Sequence, residues 1–290
     1  MMDRKKIYPL YMIIAPVLVF MLFFVIPSTF GYVYAFTDWS SARAVNLRFV
    51  GFDNLLSVIQ DRKLPTALVN TLIYAAVKTV LVTVLGLFFA YLLNREIRTK
   101  MILRTIYYIP AILSALVVGL TFSAVFETRH GVINETIKAL GGEGVQWFGA
   151  RFTAMIAICI AEVWRNTGYA IVISLTGMQS VATEYLEAAK IDGASEWQSY
   201  KNITLPLIMS IVNVNILFSL IYGLKMFDLI FIMTSGGPGS STESFGTLMM
   251  NEMSAGRYAQ SVAVNLTFTA VLILVSLGWQ KISEVWEYAE

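Results

Sequence analysis

Six uncharged or nearly uncharged runs of membrane-spanning length, at residues 10–36, 68–93, 104–126, 153–177, 205–224 and 259–280, constrain this chain more than any other feature. A helix crossing the hydrocarbon core needs about 20 predominantly apolar residues, and each run is close to that length or exceeds it. In lipid the backbone must satisfy its own hydrogen bonds, so such runs are read as helices. The expectation is an all-α polytopic membrane protein in which residues 1–290 form a single transmembrane domain. Only 14% of the residues are charged, against about 25% in an ordinary soluble domain. The start, Asp3-Arg4-Lys5-Lys6 before an apolar run, looks like a secretion signal. The uncharged stretch from Ile7 to Thr37 outruns a signal core of about 7–15 residues, so it is read as an uncleaved first span.

Direction follows from Lys and Arg near the span ends. The basic clusters Arg4, Lys5, Lys6 and Arg95, Arg98, Lys100, Arg104 favour both termini in the cytoplasm, although the summed count is nearly even between the two sides. Pro16, Pro27 and Pro110 are expected to kink their spans or to sit in a first turn, as membrane helices tolerate. Cys159 is the only cysteine, so no intrachain disulfide can form. A net charge of +2 carries no nucleic-acid signal, and no nucleic-acid partner is expected.

Between the fourth and fifth runs lies a polar island, residues 178–204. Thr183 can N-cap a first half-helix with Glu184 and Glu187 in its positive first turn. Ser195 and Gln198 have capping-box spacing for a second, and Gly193 permits a tight turn between them. Ala188 and Ala189 would let a partner surface approach closely, while Glu187 offers it a charge. Thr204 and Pro206 fit the start of the fifth span, where proline is accepted. Two half-helices joined in this way and fused to a span form a docking lever. An ordinary amphipathic connector lying at the membrane interface is the competing reading.

Glu187-Ala188-Ala189, then Asp192-Gly193, then Ile203-x-Leu205-Pro206 resembles the EAA loop of ABC-transporter permeases. The likeness extends along the chain. Phe36-Thr37-Asp38-Trp39, Asn70-Thr71, Arg104 with Pro110, Gly131-Val132-Ile133-Asn134 and Ile191-Asp192-Gly193-Ala194 are similar to the carbohydrate-importer branch. So is Phe227-Asp228 followed by Thr234-Ser235-Gly236-Gly237-Pro238 and Ser241-Thr242, which resembles the first of two permeases in importers of the maltose and glycerol-phosphate kind. The resemblance implies a type I importer permease in a bacterial inner or plasma membrane. It also implies a second homologous permease, two ATPase subunits and an extracytoplasmic sugar-binding protein. Glu187, Ala188, Ala189, Asp192 and Gly193 would seat in the ATPase. No G-x-x-x-x-G-K-[ST] phosphate loop occurs, so ATP and magnesium are expected on the partner ATPase and no cofactor is expected on this chain.

Ionisable groups at bilayer depth are functional candidates by default. They are Lys78 in the second run and Glu162 and Arg165 in the fourth. At about 1.5 Å per residue, Lys78 and Glu162 each lie roughly 15 Å from the outer end, near the midplane. Glu162 and Arg165 share a helix face and can pair, which would make them a packing device as readily as a substrate contact. Trp164, Asn166 and Tyr169 offer aromatic faces and an amide to a sugar ring. Asn213, Asn215, Ser219 and Tyr222 are polar groups at depth in the fifth run, although each could equally be a helix–helix hydrogen bond. Ungapped counting from Glu187 and Pro206 carries the family's midplane sugar positions to Glu162, Arg165, Asn166, Ser219, Gly223 and Met226. Only Ser219 keeps its residue type. The expected pathway is therefore Lys78, Glu162, Arg165, Asn166, Ser219 and Tyr222, with location and not individual contacts carried over.

Two other classes compete with a sugar permease. An ion-coupled carrier would use Lys78, Glu162 and Arg165 as a relay, but it has no need of the 184–206 element. A membrane-embedded enzyme lacks the means, because the single histidine, His130, lies in an outer loop and no close pair of intramembrane carboxylates exists.

Overall fold

The computed structural model describes residues 11–95 and 97–287, all helix, turn or loop apart from isolated bridges. The expected basic start at Arg4, Lys5 and Lys6 lies outside the described residues. Four helices are each long and apolar enough to cross a membrane: Met12–Tyr34, Lys63–Leu93, Arg151–Gln179 and Tyr258–Ser283. Among the described residues two bent pairs, Lys100–Ile112 with Ala115–Val125 and Glu196–Leu207 with Met209–Leu224, make the number six when each is counted as one span. Counted so, a helix or bent pair overlaps each of the six apolar runs.

The break in the third span falls beside Pro110, where a kink was expected, and the break in the fifth was not expected. The third turns by 96°. Pro110 has no N–H to give to the preceding turn, and the helix ends two residues later at Ile112. Ser114 then starts a new helix, its Oγ accepting from the Val117 N–H at 3.2 Å. The fifth turns by 71° at Ile208. Prolines leave a second mark. Pro27 follows a π-turn at Met21–Val25 and Pro206 follows another at Tyr200–Thr204. A proline ring collides with the carbonyl four residues back in a regular α-helix, and a π-turn re-spaces the carbonyls just ahead of it.

The chain divides into two compact units. The first comprises residues up to Asp61 together with Met249–Thr269. Here the Phe36-Thr37-Asp38-Trp39 signature holds its loop together. Asp38 accepts from the Arg48 N–H at 2.8 Å and pairs with the Arg43 guanidinium. The Trp39 ring lies 4.8 Å from Tyr34 and 5.0 Å from Tyr258, and its carbonyl accepts from the Ala259 N–H.

The second unit, Arg62–Leu248 with the residues from Ala270 on, holds the second to fifth spans. Its helices pack through small residues, as membrane helices do where backbones approach closely. A Cβ on Gly86 would sit 2.5 Å from the Ala170 Cβ, and one on Gly223 would sit 2.8 Å from the Ala75 Cα. Asn70, fully buried, donates to the carbonyls of Ser241 and Glu243 at 2.9 and 2.8 Å and accepts from Arg151 at 2.8 Å. It thereby ties the N-terminal ends of the second and fourth spans to the loop that follows Gly236-Gly237-Pro238. In that loop Thr242 donates to the Gly237 carbonyl at 2.6 Å and its hydroxyl lies 2.9 Å from that of Thr234. Asn134 does the same for the loop between the third and fourth spans, bridging Thr128, Val145 and Trp147.

Candidate functional site: a polar cavity and a docking element

A cavity of about 540 Å³ opens among the second to fifth spans of the second unit. Lys78, Glu162, Arg165, Asn166, Ser219 and Tyr222, which the sequence had marked as the pathway, all line it. Four helical segments converge to bring them together. Lys78 comes from the middle of Lys63–Leu93 and Glu162, Arg165 and Asn166 from the middle of Arg151–Gln179. Ser219 and Tyr222 lie in the last turns of Met209–Leu224, and Ala111 adds the elbow of the third span.

The charges are arranged differently from the expected Glu162–Arg165 pair. Lys78 Nζ donates to Glu162 Oε1 at 2.8 Å, with both side chains buried. The ammonium also lies 5.9 Å from the centre of the Tyr222 ring. The equal depth assigned to Lys78 and Glu162 is what lets them meet. The rotation of the second helix against the fourth then gives Glu162 a partner across the interface in place of one along its own helix. Arg165, half-buried, has no carboxylate partner among the described residues. Asn166 spends its amide donor within its helix, on the Glu162 carbonyl at 2.8 Å. Asn215 and Ser219, one turn apart and both buried, keep Nδ2 and Oγ without a hydrogen-bond partner in the chain.

Not every expected residue faces the cavity. Trp164 turns away and packs on Phe122 at 5.3 Å. Gly223 is taken up by its close approach to Ala75, whereas Met226 does line the cavity. Tyr169 lines it with its ring edge against Tyr108. Lys225 and Asp228 also line it, although the sequence had marked only Asp228, and that as part of a signature. Their signal was available: two opposite charges in the short segment that ends the fifth span.

The loop of residues 178–204 forms the expected pair of half-helices, Thr183–Ile191 and Glu196–Ser199. Gly193 has φ +79°, a conformation that L side chains rarely adopt. Its N–H bonds to the Lys190 carbonyl and that of Ala194 to the Ala189 carbonyl, a Schellman closure. Ser195 and Gln198 make the full capping box. Three expectations need correction. Ala182, not Thr183, occupies the cap position of the first half-helix, with no side-chain bond. Ala189 is buried, so of the two alanines only Ala188 joins Glu187 and Asp192 on the open surface. The second half-helix runs on through the π-turn to Leu207, but the elbow at Ile208 separates it from the membrane segment.

That elbow is clamped by packing. Ile208 is fully buried in a cluster with Ala90, Leu93, Ile171, Leu175, Met178, Tyr200 and Val212. Arg95, just past the second span, pairs with Glu196 at 2.8 Å and lies over the Tyr91 ring. Tyr91 in turn packs against Trp197 and Tyr200. Tyr185, Ile191 and Trp197 are large apolar side chains left exposed on this element, 87% in the case of Ile191. Sequence reading passed over them because single apolar residues in a polar segment carry no periodicity.

The fold is that of a type I importer permease. It matches the crystal structure of a bacterial ABC transporter involved in the import of the acidic polysaccharide alginate with a TM-score of 0.84, at 21% identity and over 95% of this chain and 94% of that one. The chain belongs to the family of binding-protein-dependent transport system inner membrane components, which it matches over residues 82–285. It is 34% identical, over 90% of its length and 89% of the relative's, to the trehalose/maltose transport system permease protein MalF of Thermococcus litoralis. It is 32% identical, over 95% and 94%, to the multiple sugar-binding transport system permease protein MsmF of Streptococcus mutans. The segment 82–285 includes the docking element and most of the cavity wall, with Lys78 just outside it.

Proposed function

We propose that this chain is the membrane-spanning permease subunit of an ATP-driven sugar importer. A binding protein delivers the sugar on the outer side, and the 183–204 element seats in an ATPase subunit. Closure of the ATPase dimer is converted into alternating access of the cavity. The observation that carries this reading is the pairing, in one chain, of an exposed docking element with a polar cavity four helices deep. The named cargoes of the relatives support a sugar as the substrate.

The clamped elbow suggests how a push would travel. The docking element is a rigid body, closed by the Gly193 turn and the Ser195 box. Its C-terminal helix enters the cluster around Ile208, which also holds the inner ends of the second and fourth spans. Those spans carry Lys78 and Glu162, so a displacement of the element reaches the cavity through packed side chains. Both termini and the element are then cytoplasmic. A second, homologous permease covers the polar faces left by this one, and a second ATPase subunit completes the dimer.

Glu187→Lys reverses the charge on the docking surface, and Gly193→Pro removes the N–H and the φ that the turn needs. In the reconstituted complex both variants should reach the membrane, with sugar uptake falling at least tenfold relative to ATP hydrolysis. Wild-type uptake in both would overturn the docking assignment. Reconstituting the chain with only the ATPase and the binding protein should give no ATP-dependent uptake; robust uptake there would mean a homodimer.

A further inference from the structure

The cavity carries five charged side chains: Lys78, Glu162, Arg165, Lys225 and Asp228. Four of them are accounted for locally. Lys78 and Glu162 neutralise one another at 2.8 Å. Lys225 is exposed and sits at the C-terminal end of Met209–Leu224, where a cation is favourable, and Asp228 is exposed in the first turn of Asp228–Thr234, where an anion is. Arg165 is the exception. It lies in the middle of the 29-residue helix Arg151–Gln179, far from either end, and the one carboxylate within reach along its own helix is held by Lys78. A guanidinium cannot lose its proton to escape this position. An uncompensated cation at membrane depth is unfavourable, so a counter-charge is expected from beyond the described residues.

Other features of the cavity bear on what brings that charge. Asn215 Nδ2 and Ser219 Oγ are buried, point to no partner in the chain, and line the same cavity one helical turn apart. Leaving such groups without a partner is unfavourable. Tyr169 and Tyr222, about half and two-thirds exposed, add ring faces to the wall. A guanidinium fork suits a planar or tetrahedral oxyanion with two acceptor oxygens, and the orphan amide and hydroxyl suit a polyhydroxylated body. Resting on the reading of this chain as a sugar permease, we propose that its cargo is a sugar bearing an oxyanion, a carboxylate, sulfonate or phosphate, that is held by Arg165.

The test uses the complete complex in proteoliposomes: this chain, the second permease, the ATPase and the binding protein. The probes are glucuronate-containing disaccharides, a 6-sulfonated glucose and glucose 6-phosphate, each beside its neutral counterpart. At least one oxyanion-bearing probe should be taken up tenfold or more faster than its counterpart, and which one identifies the oxyanion. Arg165→Gln should lower that uptake at least tenfold, and Arg165→Lys should recover part of it. Import of neutral sugars alone would overturn the inference and leave the sugar-importer reading standing; import of neither class would overturn both. Equal uptake by Arg165→Gln would also overturn it. So would loss of the second permease on co-purification of that variant, since Arg165 would then be paired by the partner subunit.

Discussion

The second unit buries two kinds of side-chain amide. Asn70 and Asn134, near the N-terminal ends of their helices, have donors and acceptor engaged, the former by Ser241, Glu243 and Arg151, the latter by Thr128, Val145 and Trp147. Asn215, on the wall of the cavity, is also buried, yet its Nδ2 finds no partner among the described residues, and neither does the Ser219 hydroxyl one turn away. Buried polar groups in native structures are nearly always hydrogen-bonded. The first pair follows that rule and fixes loops. The second departs from it in a place where a ligand can enter. At these four side chains satisfaction goes with tying loops and its absence with the cavity wall, although buried groups away from the cavity, Tyr74 and Ser174 among them, also lack a partner; the contrast can be broken by substitution.

The largest effect should come from Asn134. Asn134→Leu leaves the Val145 N–H, the Trp147 indole N–H and two carbonyls unpaired, and the fit of the loop is lost with them. At about 1 kcal/mol for each of these four partly exposed groups, the low end of the range for an orphaned group, this amounts to about 4 kcal/mol, large for a single substitution. Thermal unfolding in detergent should show a large drop, and the variant should accumulate poorly. A drop of less than about 1 kcal/mol would mean that the loop does not depend on its amide hub.

Next is the buried ion pair. Lys78→Met strands the Glu162 carboxylate, and breaking a buried pair from one side costs about 3–5 kcal/mol; the cavity beside it should hold the cost near the lower end. Lys78→Met with Glu162→Met should recover most of the stability, since a well-packed apolar pair often replaces a buried ion pair without loss. Uptake by the double variant then tells scaffold from site. If it transports normally, the pair belongs with Asn70 and Asn134; if it is stable but inactive, it belongs with Asn215 and Ser219.

Substitution at the unsatisfied groups should invert the usual order of effects. Asn215→Leu and Ser219→Ala each remove a group that has no partner, so stability should hold or rise by up to about 1 kcal/mol. Sugar uptake should nevertheless fall severalfold. Destabilisation by more than about 2 kcal/mol would place these side chains among the structural amides.

Much of this division was legible in the sequence. Lys78, Glu162, Arg165, Asn166, Ser219 and Tyr222 stood out because each is polar inside an apolar run, and depth could be counted from the run ends. Gly193 and the Ser195-x-x-Gln198 box were readable because turn and cap chemistry is local. Partner choice was not. Whether Glu162 meets Arg165 or Lys78 depends on how one helix is rotated against another, and the pattern of a single run does not carry that. The bend in the third span was announced by Pro110, although its size depends on the Ser114 cap that follows. The bend at Ile208 was hidden for a related reason: hydropathy runs unbroken through it, and the geometry is set by the packing around Ile208. Ala189 looked open because it is small, and it is buried because its face of the helix turns inward.

The smallest expected effect is a pH dependence of the loop between the third and fourth spans, and it asks whether the satisfied class extends to exposed groups. Glu127 accepts from the N–H groups of His130 and Arg129 at 2.5 and 2.9 Å. These bonds, the one from His130 first, hold its carboxyl below the usual 4.5. A group whose pKa is depressed by folding adds stability that is fully present above its unfolded value and fades as pH falls through the folded one. The contribution should therefore be constant from neutral pH down to about 5 and decline in more acidic solution. Because the carboxyl is fully exposed, the gain is local: the turn into Gly131, where a Cβ would come within 2.3 Å of the Glu127 carbonyl, and the anchoring of the Asn134 helix behind it. Limited proteolysis of the purified complex should open the loop sooner at pH 3.5 than at pH 6, and Glu127→Gln should cleave at both pH values as the wild type does in acid. Wild-type cleavage independent of pH would confine the structural role of satisfied polar groups to the buried asparagines.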